Sequence, residues 1–123
     1  MGEEIKNWWE QAKRDLHSAK NSLNSGDYYV AAFMAQQSAE KGLKVLYIKK
    51  YHEVWKIHDL VRLARDVDAP PKIISHCASL TPAYFETRYP DSEKTPAEKV
   101  NRQEAEEMIK LAEEILTWIE KKL

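Results

Sequence analysis

His76 and Cys77 stand side by side, and an imidazole next to a thiol is the raw material of a cysteine nucleophile. The spacing argues otherwise. Cys77 falls in register with Ile73 and Leu80, so a small buried thiol is expected instead. Asp66-Val67-Asp68 is a DxD, an arrangement that holds magnesium in nucleotidyltransferases. No Gly-Ser turn precedes it and no sheet mounts it, so it reads as a capping and solubility feature. One Cys with His17, His52, His58 and His76 makes neither a CxxC nor an HExxH, which excludes the common zinc spacings. Gly26 and Gly42 are the only internal glycines, too few and too far apart for a phosphate-cradling loop. No metal or cofactor is expected.

Trp8 and Trp9 are adjacent, hence about 100° apart on a helix, and cannot share one narrow core stripe. One of the pair is expected at the edge of the core or in a protein interface. Charge is segregated as well. Residues 41–72 hold eight Lys and Arg against four Asp and Glu, while 101–120 hold two against six. That asymmetry would place a phosphate-bearing ligand near the basic stretch; solvated helix faces are the plainer alternative.

These residues need elements to carry them, and the breakers mark where those run. All five prolines lie between Pro70 and Pro96, which leaves long uninterrupted stretches on either side. No sustained apolar–polar alternation occurs, so the chain reads as all-α. Ile5, Trp8, Ala12, Leu16, Ala19 and Leu23 line one face of a first helix over residues 1–24. Ser25-Gly26-Asp27 stops it, with Gly26 suited to a left-handed C-cap and Asp27 to the next N-cap. A second helix is expected from Tyr28 to Tyr51, striped by Tyr29, Ala32, Phe33, Gln36, Ala39, Leu43, Leu46 and Tyr47. At 1.5 Å per residue it would be roughly 35 Å long and central to the fold. His58-Asp59-Leu60 opens a third helix, and Pro70-Pro71 a fourth that Thr81-Pro82 restarts and Arg88-Tyr89-Pro90 closes. Thr95-Pro96-Ala97-Glu98 combines a capping box with proline at N1 and should begin one last helix. Its inward positions are Ala105, Met108, Ala112, Ile115 and Ile119. The expected architecture is an antiparallel up-and-down bundle of about five helices, a single domain over residues 1–123.

The balance of 19 Lys and Arg against 20 Asp and Glu, net -1, argues against a strongly basic nucleic-acid coat protein. One thiol makes no internal disulfide, and the acidic N-terminus lacks a signal-peptide layout. The longest apolar run, Tyr28 to Ala35, is far below the ~20 residues that span a bilayer. A cytoplasmic protein without membrane contact is expected.

The run Asp27-Tyr28-Tyr29-Val30-Ala31-Ala32-Phe33-Met34-Ala35-Gln36-Gln37-Ser38-Ala39-Glu40-Lys41-Gly42-Leu43-Lys44 resembles the second helix of HEPN domains, the nucleotide-binding domains of higher eukaryotes and prokaryotes. His58-Asp59-Leu60 and Thr87-Arg88-Tyr89-Pro90-Asp91 are similar to that family in kind and order, and the resemblance extends over residues 5–120. It implies a helical bundle, usually homodimeric, related to the substrate-binding half of aminoglycoside nucleotidyltransferases. Stand-alone members are often paired with a separate minimal nucleotidyltransferase, in toxin–antitoxin or related arrangements. Many are metal-independent ribonucleases whose site is an Arg, four to six residues, then a His. That motif is absent: Arg14 precedes His17 by two intervening residues, and no His follows Arg88 or Arg102.

The resemblance therefore implies a non-catalytic module that binds a nucleotide. Arg88 would grip phosphate, Tyr89 or Tyr84 would stack on a base, and Lys41, Lys44 or His58 would add donors. Gln37 and Glu40 would read polar groups of the ligand, and Trp8 or Trp9 would lie in an interface. Each has a structural alternative: His58 capping the third helix, Arg88 paired with Glu40, Tyr89 filling the bundle end. The rival functions are a degenerate HEPN ribonuclease acting on RNA and a protein-interaction scaffold with no small-molecule ligand.

Overall fold

The computed structural model describes residues 2–54, 56 and 58–123, and everything below concerns those residues. Helices α1 (Gly2–Asn24) and α2 (Tyr28–Tyr51) form a long hairpin. The rest follows as α3 (Leu60–Asp66), α4 (Pro71–Leu80), the single turns α5 (Ala83–Glu86) and α6 (Pro96–Lys99), and α7 (Arg102–Glu120). No strand is present among the described residues. The α1–α2 link is a Schellman turn. Gly26 takes φ 84°, Asp27 N–H donates to Ser22 O at 2.9 Å, and Gly26 N–H donates to Leu23 O at 3.2 Å. Asp27 stands at the N-cap of α2, but its side chain makes no cap bond.

α2 is the axis of the bundle. It packs against α1, α7 and α3, and every residue from Gly42 to Ile48 is buried. One apolar stripe describes it poorly, because three neighbours surround it. The helices approach through small residues: Ala12 and Ala19 of α1 and Ala31, Ala32, Ala35 and Ala39 of α2 are wholly buried. Gly42 marks the tightest approach. A Cβ there would sit 2.6 Å from Leu116 Cδ2 and 2.9 Å from Ile119 Cδ1 of α7, inside contact distance.

The C-terminal part departs from expectation in one place. The helix that begins at Thr95 runs only a single turn, then Val100 becomes extended (φ -124°, ψ 122°) and is buried. Asn101 restarts the chain with a full capping box: Glu104 N–H donates to Asn101 Oδ1 at 2.8 Å, and Asn101 N–H to Glu104 Oε1 at 3.2 Å. The break turns Val100 into the core, which an unbroken helix in this register does not require. α4 behaves as expected, burying Ile73, Cys77 and Leu80, and Asp59 rather than His58 caps α3 by accepting from Arg62 N–H at 3.1 Å.

Placing two branched methyls at position 42 forces α7 away from α2. Gly42→Val is expected to lower stability by about 1–3 kcal/mol, read as a shift in urea midpoint at constant slope.

Candidate functional site

Gln36, Glu40 and Lys44 recur every four residues, so they form one column along α2. Packing buries all three: Gln36 is fully enclosed, Glu40 is 2% exposed and Lys44 5%. A carboxylate so far from water needs several donors, and Glu40 has three. Gln36 Nε2 donates to Oε1 at 3.2 Å; Lys44 Nζ and His58 Nδ1 donate to Oε2 at 2.9 and 2.7 Å. Gln37 Nε2 completes the column by donating to Gln36 Oε1 at 2.7 Å. Because a carboxylate only accepts, the bond to Glu40 assigns the His58 proton to Nδ1 and turns Nε2 outward as the available nitrogen.

A second charge pair lies one column over. Lys41 bonds Asp15 of α1, whose other oxygen accepts from Gln11 Nε2 at 2.8 Å. Asp15 is 2% exposed. Trp8 lies between the two systems, with Lys44 Nζ 5.3 Å from its ring centroid. With Glu4, Asn7, Gln11 and Lys41 it lines an open hollow of about 500 Å³. Trp9 instead packs on the core edge, beside Gly42. Both tryptophans are half-buried, one toward each side, as their angular separation requires.

Beyond Glu40 the site continues as an aromatic ladder. The His58 ring stacks on Tyr84, centroids 4.8 Å apart and planes at 23°. Arg88 Cζ lies 4.7 Å from the Tyr84 ring and 5.6 Å from that of Tyr89. Tyr84 also meets Phe85 edge-on at 5.1 Å. His58, Asp59, Thr81, Tyr84 and Phe85 enclose a pocket of about 380 Å³. Phe85 is 64% exposed and Tyr89 57%, so Tyr89 does not fill the bundle end. Among the described residues Arg88 has no carboxylate partner, and Glu40 is occupied by Lys44 and His58. Lys99 of α6 steadies the segment by donating to Tyr89 O at 3.0 Å and pairing with Asp91 at 3.2 Å. The backbone N–H groups of Lys94 and Glu93, with Lys99, hold the Asp91 carboxyl down at about 2.

The structure thus brings Glu40, Lys44, His58, Tyr84, Arg88 and Tyr89 into one connected row, with Gln37 at its end. Lys41 belongs to the neighbouring pair. Asp15 went unnoticed in the sequence, although it sits three residues after Ala12 and four before Ala19, an acid on the expected apolar face. Phe85 was readable only as one more aromatic, since its exposure depends on the short turn of α5. The remaining reactive candidates are structural. Burial pushes the Cys77 thiol up to about 12, and His76 Nε2 faces Glu114 Oε2 on α7 at 2.6 Å. The Asp66-Val67-Asp68 loop receives Lys50 Nζ at Asp66 O (2.8 Å) and Asp68 Oδ2 (2.9 Å), and Tyr51 OH at Asp66 O (3.0 Å). No metal-holding cluster occurs among the described residues, and no helix there is long and apolar enough to cross a membrane.

The family model for the HEPN domain matches residues 5–122, and the chain belongs to that family. Solved structures share the fold, among them the following three. TT1696 from Thermus thermophilus is 38% identical with a TM-score of 0.89, over 97% of this chain and 98% of that one. An archaeal HEPN homologue is 32% identical with a TM-score of 0.81, over 96% of each chain. A HEPN domain protein of Thermotoga maritima is 26% identical with a TM-score of 0.74, covering 94% and 95%. No curated protein matches the chain.

Glu40→Gln leaves the Lys44 ammonium buried without a counter-charge. The expected cost is about 3 kcal/mol, measured by chemical denaturation at pH 7. Removing both charges, with Gln at 40 and Met at 44, should recover a large part of it.

Proposed function

We propose that this HEPN domain is a non-catalytic nucleotide-binding module. It acts as a homodimer in the cytoplasm, beside a separate minimal nucleotidyltransferase in a toxin–antitoxin-like pair. The observation that carries the nucleotide reading is Arg88: a guanidinium stacked on tyrosine, flanked by exposed aromatic rings, with no carboxylate of its own among the described residues. A guanidinium fork matches phosphate oxygens, and flat rings beside it suit a base. The dimer rests on the HEPN resemblance, with the half-buried Trp8 and Trp9 of α1 as its candidate contact. The pairing with a nucleotidyltransferase rests on family membership and on the relation to the substrate-binding half of such enzymes that the HEPN resemblance implies.

Titration calorimetry with ATP, GTP and a short single-stranded RNA tests the reading. Saturable binding is expected, weakened about tenfold to a hundredfold by Arg88→Ala, the scale of one charge-assisted contact. Unchanged affinity in a folded Arg88→Ala protein removes Arg88 from the site. Absence of heat with every ligand, from a folded dimer, makes a docking protein the function instead.

A second reading has one observation in its favour. Glu40 orients His58 as a carboxylate orients a general acid–base imidazole, with Arg88 available as the phosphate cation. A ribonuclease built this way cleaves single-stranded RNA in EDTA, and both His58→Ala and Arg88→Ala abolish cleavage. RNA left intact after prolonged incubation eliminates it.

A further inference from the structure

The pocket beside His58 is poor in positive charge, and that limits how many phosphates its ligand can carry. Of its lining residues, Asp59 is anionic and His58 is the only one able to become cationic. Arg88 does not line the pocket itself but stands next to it, its Cζ 4.7 Å from the centroid of the Tyr84 ring, and brings one fixed positive charge to the rim. The two lysines that α2 brings near are not available. Lys44 is committed to Glu40 and Lys41 to Asp15, both carboxylates only 2% exposed. Drawing either lysine toward a ligand would strand a buried anion, a far larger penalty than a surface contact returns.

We propose that the site takes a nucleoside monophosphate. This narrows the nucleotide-binding reading and rests on it. The base lies against the apolar wall of Tyr84 and Phe85, and the single phosphate is held by the Arg88 fork, with His58 Nε2 as a second donor when protonated. A triphosphate adds about two negative charges beyond those of a monophosphate. Its outer phosphates meet no further cation among the pocket's lining residues, and the fixed charge they do meet is Asp59.

The inference is tested by titrating the full chain with AMP, ADP and ATP, in EDTA and again in magnesium, alongside Asp59→Asn. Asparagine caps a helix about as well as aspartate, so α3 keeps its start while the pocket loses one negative charge. Affinity is expected to fall about tenfold from AMP to ATP, and Asp59→Asn to narrow that gap by about threefold or more. ATP binding more tightly than AMP overturns the single-phosphate inference and leaves the nucleotide reading standing. An unaltered gap in Asp59→Asn overturns the charge argument. Failure of all three, and of GMP, to bind the folded protein removes the nucleotide reading along with it.

Discussion

A carboxylate 2% exposed in the middle of the central helix must find its donors within the fold, because desolvation of an unpaired charge costs more than a small domain can tolerate. Glu40 meets that demand with donors from two places. Gln36 and Lys44 come from its own helix, one turn either side, while His58 comes from the connection after α2. The third bond matters most for architecture. It pins the chain just before Asp59, where α3 is capped, and so places α3 against α2. It also presents the imidazole as the surface on which Tyr84 stacks, and Tyr84 in turn positions Arg88. A single buried anion thereby connects the bundle interior to its exposed aromatic corner.

That arrangement needs α2 to be enclosed, and small side chains allow it. Four alanines of α2 are wholly buried, and Gly42 lets Leu116 and Ile119 come within a distance no Cβ permits. The polar column is complete, with Gln37 on Gln36 and both Gln36 and Lys44 on Glu40, and beside it Lys41 is on Asp15. A partly satisfied buried network would be worse than an apolar one.

The helical framework was legible in the sequence because it depends on local signals. Proline placement, the Gly26 turn and the stripes of α1 and α4 all act within a few residues of themselves. The break at Val100 was missed for a physical reason. Thr95 and Pro96 announce a helix so clearly that the second box, Asn101 to Glu104, reads as its continuation. Only the burial of Val100 separates the two. The polar partners were less legible still. The choice of Glu40 for His58, and of Asp15 for Lys41, joins residues 18 and 26 positions apart and follows from packing, which periodicity does not encode.

Charge pairing then sorts the candidate residues more sharply than residue type does. By type alone Lys41, Lys44 and Arg88 are interchangeable phosphate ligands. By environment they are opposites. The two lysines neutralise buried carboxylates, so their charges are part of the fold and contribute little field at the surface. Arg88 is held by rings whose faces attract a cation without neutralising it, which leaves its full charge and its fork of donors turned to solvent. His58 stands between these cases, with one nitrogen bound inward to Glu40 and the other outward. Among the described residues this corner therefore presents Arg88 as an exposed cation without a carboxylate, the outward nitrogen of His58 and the rings of Tyr84 and Phe85.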